Sequence, residues 1–192
     1  MNLSTSQKTN CFSGWCCFSL LAWIFILIFA NISLVASQEY DPAVLLSEVV
    51  FAGKVVTVIS GDTLEVNSSG ETRKVRLESI DAPEDGQAYS KVAREFLSKL
   101  VLRKSVTVHA RMYDWSGEKV SLGHVVIGEA DLSSKMIEAG LSWSCNKPFS
   151  NSVLRALESE ARSKKNGLWQ ESNPIPPWQF RGEKECFEEG KP

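Results

Sequence analysis

Four charged residues in one stretch of the chain have the types and spacing for phosphate chemistry: Asp62, Arg76, Asp81 and Glu84. Asp62 sits in the turn Ser60-Gly61-Asp62-Thr63, and Asp81 and Glu84 bound Asp81-Ala82-Pro83-Glu84. Three carboxylates with no cysteine or histidine beside them suit a hard, oxygen-seeking cation such as calcium or magnesium. Arg76, five residues before Asp81, is spaced to grip a phosphate oxygen at the same ion through its planar, two-pronged guanidinium. The same residues also have a structural reading. An Asp in a Gly-Asp turn can simply stabilise that turn, and Asp81 can cap an adjacent one. Spacing alone leaves both readings open.

The surrounding pattern predicts the elements that must position these side chains. Val49–Ile59 is valine-rich and reads as a strand ending at the Ser60-Gly61-Asp62 turn. Thr63–Asn67 and Arg73–Leu77 read as two further strands around a hairpin turn at Ser68–Glu71. In such a meander the turn before the second strand and the end of the third fall at one edge, so Asp62, Asp81 and Glu84 converge there. After the loop Ile80–Gln87, residues Tyr89, Val92, Ala93, Phe96, Leu97 and Leu100 recur with helical period. Ser105–Met112 and Lys119–Ile127 are predicted strands joined by a loop at Tyr113–Glu118. A second helix, capped by Asp131, stops at Gly140, and a third carries Val153, Leu154, Leu157 and Ala161 and ends near Asn166-Gly167. Strand runs divided by a helix predict an α+β fold, a small Greek-key barrel with helices packed outside. The proline-containing tail from Asn173 is expected to be extended and to lie on the body through Trp178 and Phe180.

Composition bounds the setting. The chain has 192 residues, 43% hydrophobic and 23% charged, an ordinary globular mix that argues against disorder. Residues 1–38 differ: they hold one basic residue, Lys8, and no acid, and Cys16–Ala36 is a nearly unbroken apolar run. That run is a signal peptide or a membrane anchor, and Lys8 favours an inside N-terminus. The remainder is therefore expected to be exported, either secreted or periplasmic, or held at a membrane through residues 16–36. The predicted organisation is a targeting segment at 1–38, a short linker at 39–48, a barrel domain at 49–172 and a tail at 173–192. Without Lys8 the exported part keeps 20 of the 21 Lys+Arg against 23 Asp+Glu, an acidic balance that argues against broad nonspecific nucleic-acid binding. Two of its residues are cysteines, Cys145 and Cys186. Without C-x-x-C spacing they do not suit zinc, and in an exported domain they can form one disulfide tying the tail to the body.

Several ordered motifs carry a resemblance. Val75-Arg76-Leu77-Glu78-Ser79-Ile80-Asp81-Ala82-Pro83-Glu84 resembles the signature loop of the staphylococcal nuclease family, and Ser60-Gly61-Asp62-Thr63 resembles its other metal loop. Gln87-Ala88-Tyr89, Ala139-Gly140-Leu141-Ser142-Trp143, Gly167-Leu168-Trp169 and Asn173-Pro174-Ile175-Pro176-Pro177-Trp178 match in position, so the likeness spans roughly residues 49–180. The resemblance implies a five-stranded OB-fold barrel with three packed helices, acting as a monomer on DNA or RNA by calcium-dependent phosphodiester hydrolysis. It implies that Asp62, Asp81 and the backbone carbonyl of Ala82 hold calcium. It further implies that Arg76 grips phosphate and that Glu84 positions or deprotonates the attacking water.

One position departs from the family pattern. The resemblance implies a second catalytic arginine after a D-x-x-G turn, but here the segment reads Asp114-Trp115-Ser116-Gly117-Glu118-Lys119-Val120-Ser121-Leu122-Gly123. Counting from Asp114 and Gly117 places Glu118 there, and counting back from Leu122-Gly123 places Val120; Lys119 falls between and is the candidate replacement. Lysine restores the charge but not the two-pronged grip. Two functional readings follow: a calcium-dependent nuclease whose rate the missing arginine lowers, and a catalytically impaired OB-fold module that binds nucleic acid or protein.

Overall fold

The structure is a computed structural model, and it describes residues 48–115, 118–146 and 151–186. The run at 16–36 and linker residues 39–47 lie outside the described residues, and Glu48, the last residue assigned to the linker, belongs to the first strand. Among the described residues no helix is long and apolar enough to cross a membrane.

Five strands close a barrel. β1 (Glu48–Val58), β2 (Thr63–Ser68) and β3 (Glu71–Leu77) form the predicted meander, followed by β5 (Ser105–Trp115) and β6 (Glu118–Ile127). The sheet order is β3-β2-β1-β5-β6, and a parallel β3–β6 pairing, Arg76 opposite Leu122, joins the two edges. Closure removes the free edges that an open sheet would expose. β1 serves both halves: Glu48–Lys54 pairs with β5 and Lys54–Val58 with β2. Gly53 lies where the strand changes partners, and a Cβ there would come within 2.5 Å of Val66. Alternation then fills the interior: Val55, Leu64, Val66, Val75, Leu77, Val106, Val108 and Val125 are all buried in one core.

Three helices pack against the barrel. α1 (Ser90–Val101) buries Ala93, Leu97 and Val101, α2 (Leu132–Glu138) buries Met136 and Ile137, and α3 (Ser152–Ser163) buries Leu154 and Ala161. The apolar period at Tyr89–Leu100 thus marks a helix, but its face centres on Ala93, Leu97 and Val101, one above the other at every fourth residue. Val92, at the edge of that stripe, is half exposed, and Val153 is likewise exposed on α3. Asp131 caps α2 as expected, its carboxylate accepting from the Ser134 amide at 2.8 Å.

Two expectations are corrected. The loop expected at Tyr113–Glu118 is strand on both sides: β5 and β6 stay paired as far as Trp115, which lies opposite Glu118. The tail is not wholly extended: Pro177–Phe180 forms a short helix, α4, where proline at the first helical position supplies the right φ and lacks a hydrogen-bonding N–H that would go unused there. Within it Trp178 packs edge-on to Trp143, with ring centroids 6.5 Å apart, while Phe180 is half exposed.

Three two-residue strands were not foreseen: β7 (Ala130–Asp131), which pairs with the end of β6, and, near the site, β4 (Ile80–Asp81) and β8 (Trp143–Ser144), which pair antiparallel with each other. The β4–β8 pair holds the signature loop against the segment leading to Cys145. A tight contact on the other side fixes the same loop: a Cβ at Gly61 would lie 2.7 Å from the Cβ atoms of both Ala82 and Ala93. Glycine there lets the first metal-type loop, the second one and α1 meet. Gly61→Ala is therefore expected to cost about 2 kcal/mol through overpacking between elements that cannot easily yield. Urea unfolding of the variant should show this as a lower midpoint with an unchanged slope.

Candidate active site

Asp62 and Arg76 are brought together by strand register. Thr63 pairs with Arg76 across β2–β3, and the Leu77 amide donates to the Asp62 carbonyl at 2.7 Å. Val75 and Leu77 point into the core, so the alternate residue Arg76 projects from the other face. Ser79 then adopts a left-handed conformation, φ 61°, that reverses the chain into β4 and sets Asp81 beside Arg76.

Asp62 is buried and its oxygens are occupied. Oδ1 accepts from the hydroxyls of Ser60 (2.7 Å) and Thr63 (2.9 Å), and Oδ2 accepts from the Ala82 amide at 3.2 Å. Arg76 bridges the two aspartates, with Nη2 2.9 Å from Asp81 Oδ1 and 3.6 Å from Asp62 Oδ2. Glu84 lies further out, with 37% of its side chain exposed. The backbone amide of Glu84 is held by Gln87 Oε1 at 3.0 Å, and Gln87 Nε2 donates to the Ile175 carbonyl in the tail at 2.5 Å. Gln87 thus fastens the signature loop to the tail.

The tail contributes more than packing. Arg181, just after α4, sends Nη2 to Asp81 Oδ2 at 3.0 Å and Nη1 to Glu84 Oε1. Glu183 holds the same guanidinium, Nε to Oε2 at 3.0 Å. Cys145 and Cys186 are joined in a disulfide, Cα to Cα 5.8 Å, and Cys186 Sγ lies 3.6 Å from Asp81 Oδ2. The bridge consumes both thiols, so these sulfurs are not thiolate ligands for a metal. Sequence reasoning placed the tail against the body but did not single out Arg181 or Glu183. The available signal was Arg181 standing five residues before a cysteine that could tether the tail.

Asp81, with none of its side chain exposed, is the electrostatic centre of the cluster. Burial, opposed by Arg76 and Arg181 and reinforced by Asp62, pushes its carboxyl up to about 7. For Arg181, burial works against the charge, but hydrogen bonds to Asp81, Glu183 and Glu84 outweigh it and hold the group above the usual guanidinium range.

A hard divalent cation fits these residues. The donor set is carboxylate and carbonyl oxygen alone, and a dipositive ion offsets the crowding of Asp62, Asp81 and Glu84. Of the proposed replacement for the family's second arginine, only the backbone is described: Lys119 pairs with Asp114 in the β5–β6 hairpin, and its side chain lies outside the described residues. Val120, the other counted position, is a buried apolar residue.

A family model described as staphylococcal nuclease homologue matches residues 74–171. An uncharacterized endonuclease of Escherichia coli O157:H7 is 38% identical over 133 residues, covering 69% of this chain and 86% of that protein. A micrococcal nuclease of Shigella flexneri is 33% identical over 141 residues, covering 68% of this chain and 80% of that protein. Staphylococcal-like nuclease CAN1 of Arabidopsis thaliana is 34% identical over 111 residues, 58% of this chain and 34% of that longer protein.

The raised Asp81 carboxyl has a consequence for cation binding. Between its ordinary value of 3.8 and about 7 the folded protein keeps a proton that the unfolded chain releases. Cation-free stability from this group is therefore present at low pH and is lost as pH rises through that window. A divalent cation needs the deprotonated form, so its affinity should rise with pH up to about 7 and level off above. Unfolding temperatures with and without calcium at several pH values should show a calcium-induced rise that grows to about pH 7 and then stays constant; a rise independent of pH would contradict the linkage.

Proposed function

We propose that this chain, which belongs to the staphylococcal nuclease family, is a monomeric, calcium-dependent nuclease that hydrolyses phosphodiester bonds of DNA or RNA. Family membership supports nuclease activity on nucleic acid and a metal requirement in general. The choice of calcium comes from the family resemblance, and the all-oxygen donor set is compatible with it. The observation that carries the reading is the convergence of Asp62, Arg76, Asp81 and Glu84 from three separate turns and strands onto one edge of the barrel.

In this reading Asp62, Asp81 and the Ala82 carbonyl would hold the ion, which supplies positive charge to polarise the phosphoryl group. Arg76 is fixed between the two aspartates by β3 and turns its donors to the equatorial phosphoryl oxygens. There it stabilises charge that grows in the transition state more than charge already present in the ground state. Glu84, at 37% the most exposed carboxylate of the set, orients water and accepts its proton as the water attacks phosphorus. Ser60, Thr63 and the Ala82 amide fix the Asp62 carboxylate so that it does not have to reorganise during the reaction.

The apolar run before the domain and the Cys145–Cys186 bridge together support export, because disulfides persist in oxidising compartments. The second reading, a binding module that does not cut, draws on the absence of arginine at Glu118–Val120.

The full chain, purified with its bridge intact, should cleave single-stranded DNA or RNA in calcium and stop in chelator. Glu84→Gln should lower the rate by about 10²-fold or more, and Arg76→Ala by roughly 10²–10³-fold, both with the fold retained by circular dichroism. A folded wild-type protein that binds oligonucleotide yet never cuts it would give the reading to the binding module.

A further inference from the structure

The roles assigned so far leave Arg181 unused, although it lies among the carboxylates of the site. Its guanidinium meets Asp81, Glu84 and Glu183 at once. Arg76 holds Oδ1 of the Asp81 carboxylate at 2.9 Å, while Arg181 holds Oδ2 at 3.0 Å and also reaches Oδ1 at 3.4 Å. The two cations come from different parts of the chain, one from β3 and one from the tail.

The tail backbone is fixed on both sides of Arg181. Before it, Pro177 is buried, Trp178 packs on Trp143 and Ile175 is bonded by Gln87. After it, the Glu183 amide donates to the Trp178 carbonyl at 2.7 Å, and Cys186 is joined to Cys145. Cys145 is itself held at the site, its amide donating to the Ser79 carbonyl at 2.8 Å beside the β4–β8 pair. A segment anchored in this way does not swing off as a gate. The side chain beyond it, 20% exposed, still has the rotatable bonds to re-aim toward solvent.

Charge points the same way. Asp62, Asp81, Glu84 and Glu183 face two guanidiniums, and a divalent cation brings the cluster to neutrality. Without Arg181 the loaded site would be net negative before a phosphodiester adds its own charge. With Asp81 engaged as a cation ligand, the Arg181 donors now on that carboxylate would be released beside Glu84.

We propose that Arg181, carried by the C-terminal tail and positioned by the Cys145–Cys186 bridge, is a second phosphate-gripping catalytic residue of this site, supplying the guanidinium that Glu118–Val120 does not. This rests on the nuclease reading above. Planar bidentate donation beside the water-handling carboxylate is the role a guanidinium fills and a lone ammonium does not.

The test uses the full chain with its bridge intact, comparing wild type with Arg181→Ala and Arg181→Lys. Cleavage of single-stranded DNA in calcium should fall by roughly 10²–10³-fold in the alanine variant and recover only in part with lysine. Oligonucleotide binding, measured by fluorescence anisotropy in calcium on a Glu84→Gln background to prevent turnover, gives a readout that a purely structural role would not move. There Arg181→Ala should reduce the slope of log affinity against log salt by about 0.7, one phosphate contact to a single strand. Reductant should slow the wild type and leave Arg181→Ala at its already low rate, since the bridge acts through that side chain.

An unchanged or faster Arg181→Ala enzyme, or an unchanged salt slope, overturns the proposal; a faster one would mark the arginine as a plug on the cation site. If the wild type does not cut at all, the nuclease reading fails and takes the rate comparison with it. The salt slope still decides separately whether Arg181 touches phosphate.

Discussion

Asp81 is a carboxylate with no exposed surface at the edge of a small barrel, and the arrangement around it follows from the need to stabilise that charge. A buried ionised group is tolerated only when paired and hydrogen-bonded. Arg76 serves Oδ1, Arg181 serves Oδ2 with a longer reach to Oδ1, and Arg76 in turn reaches Asp62. Removing either arginine would leave a buried acid short of a partner, and adding a divalent cation offers a third. The same desolvation that makes the group costly to bury makes it a strong oxygen ligand for a hard ion.

Four separate pieces of chain have to meet for this to happen. The β2–β3 register sets Thr63 opposite Arg76, the left-handed turn at Ser79 brings Asp81 underneath, and the β4–β8 pair clips Trp143–Ser144 alongside. Cys145 follows directly and receives the tail. Trp143 therefore has two duties: its backbone pairs with Asp81, and its ring packs against Trp169 and Trp178, with centroids 5.3 and 6.5 Å away. Glu158 on α3 steadies the same segment by accepting from the Ser144 amide at 3.0 Å. Packing of the outer helices is in this way tied to the geometry of the carboxylates.

The meander, α1 and the β5–β6 pair were legible in the sequence because each has a local cause: alternation in β2 and β3, a four-residue apolar repeat in α1, Asp131 at the start of α2. Asp62, Arg76, Asp81 and Glu84 were legible as a set because a meander returns its turns to one edge. What was not legible depends on contacts distant in sequence. Two-residue strands such as β4 and β8 carry no periodicity, and only their mutual pairing defines them. Pro177–Phe180 read as extended because prolines usually signal that, whereas proline at a first helical position signals the opposite. Arg181 lies 100 residues from Asp81 and carries no motif of its own.

Bringing a guanidinium in from the tail has physical consequences that an arginine within the barrel would not have. A strand residue inherits its position from the ladder of hydrogen bonds on either side. A tail residue must be ordered by contacts that each cost conformational entropy, and here a covalent bridge closing a 41-residue separation takes up much of that cost. By the loop-closure estimate such a bridge is worth about 4 kcal/mol against the unfolded chain. That energy is gained only where the cysteines stay oxidised. In a reducing environment the barrel would keep its core, since none of the β-strand residues lining it depends on the bridge, but Arg181 would lose one of its two anchors. Fold and site thus draw on different sources of order: the barrel on apolar burial, and the second cation on a bond that forms under oxidising conditions.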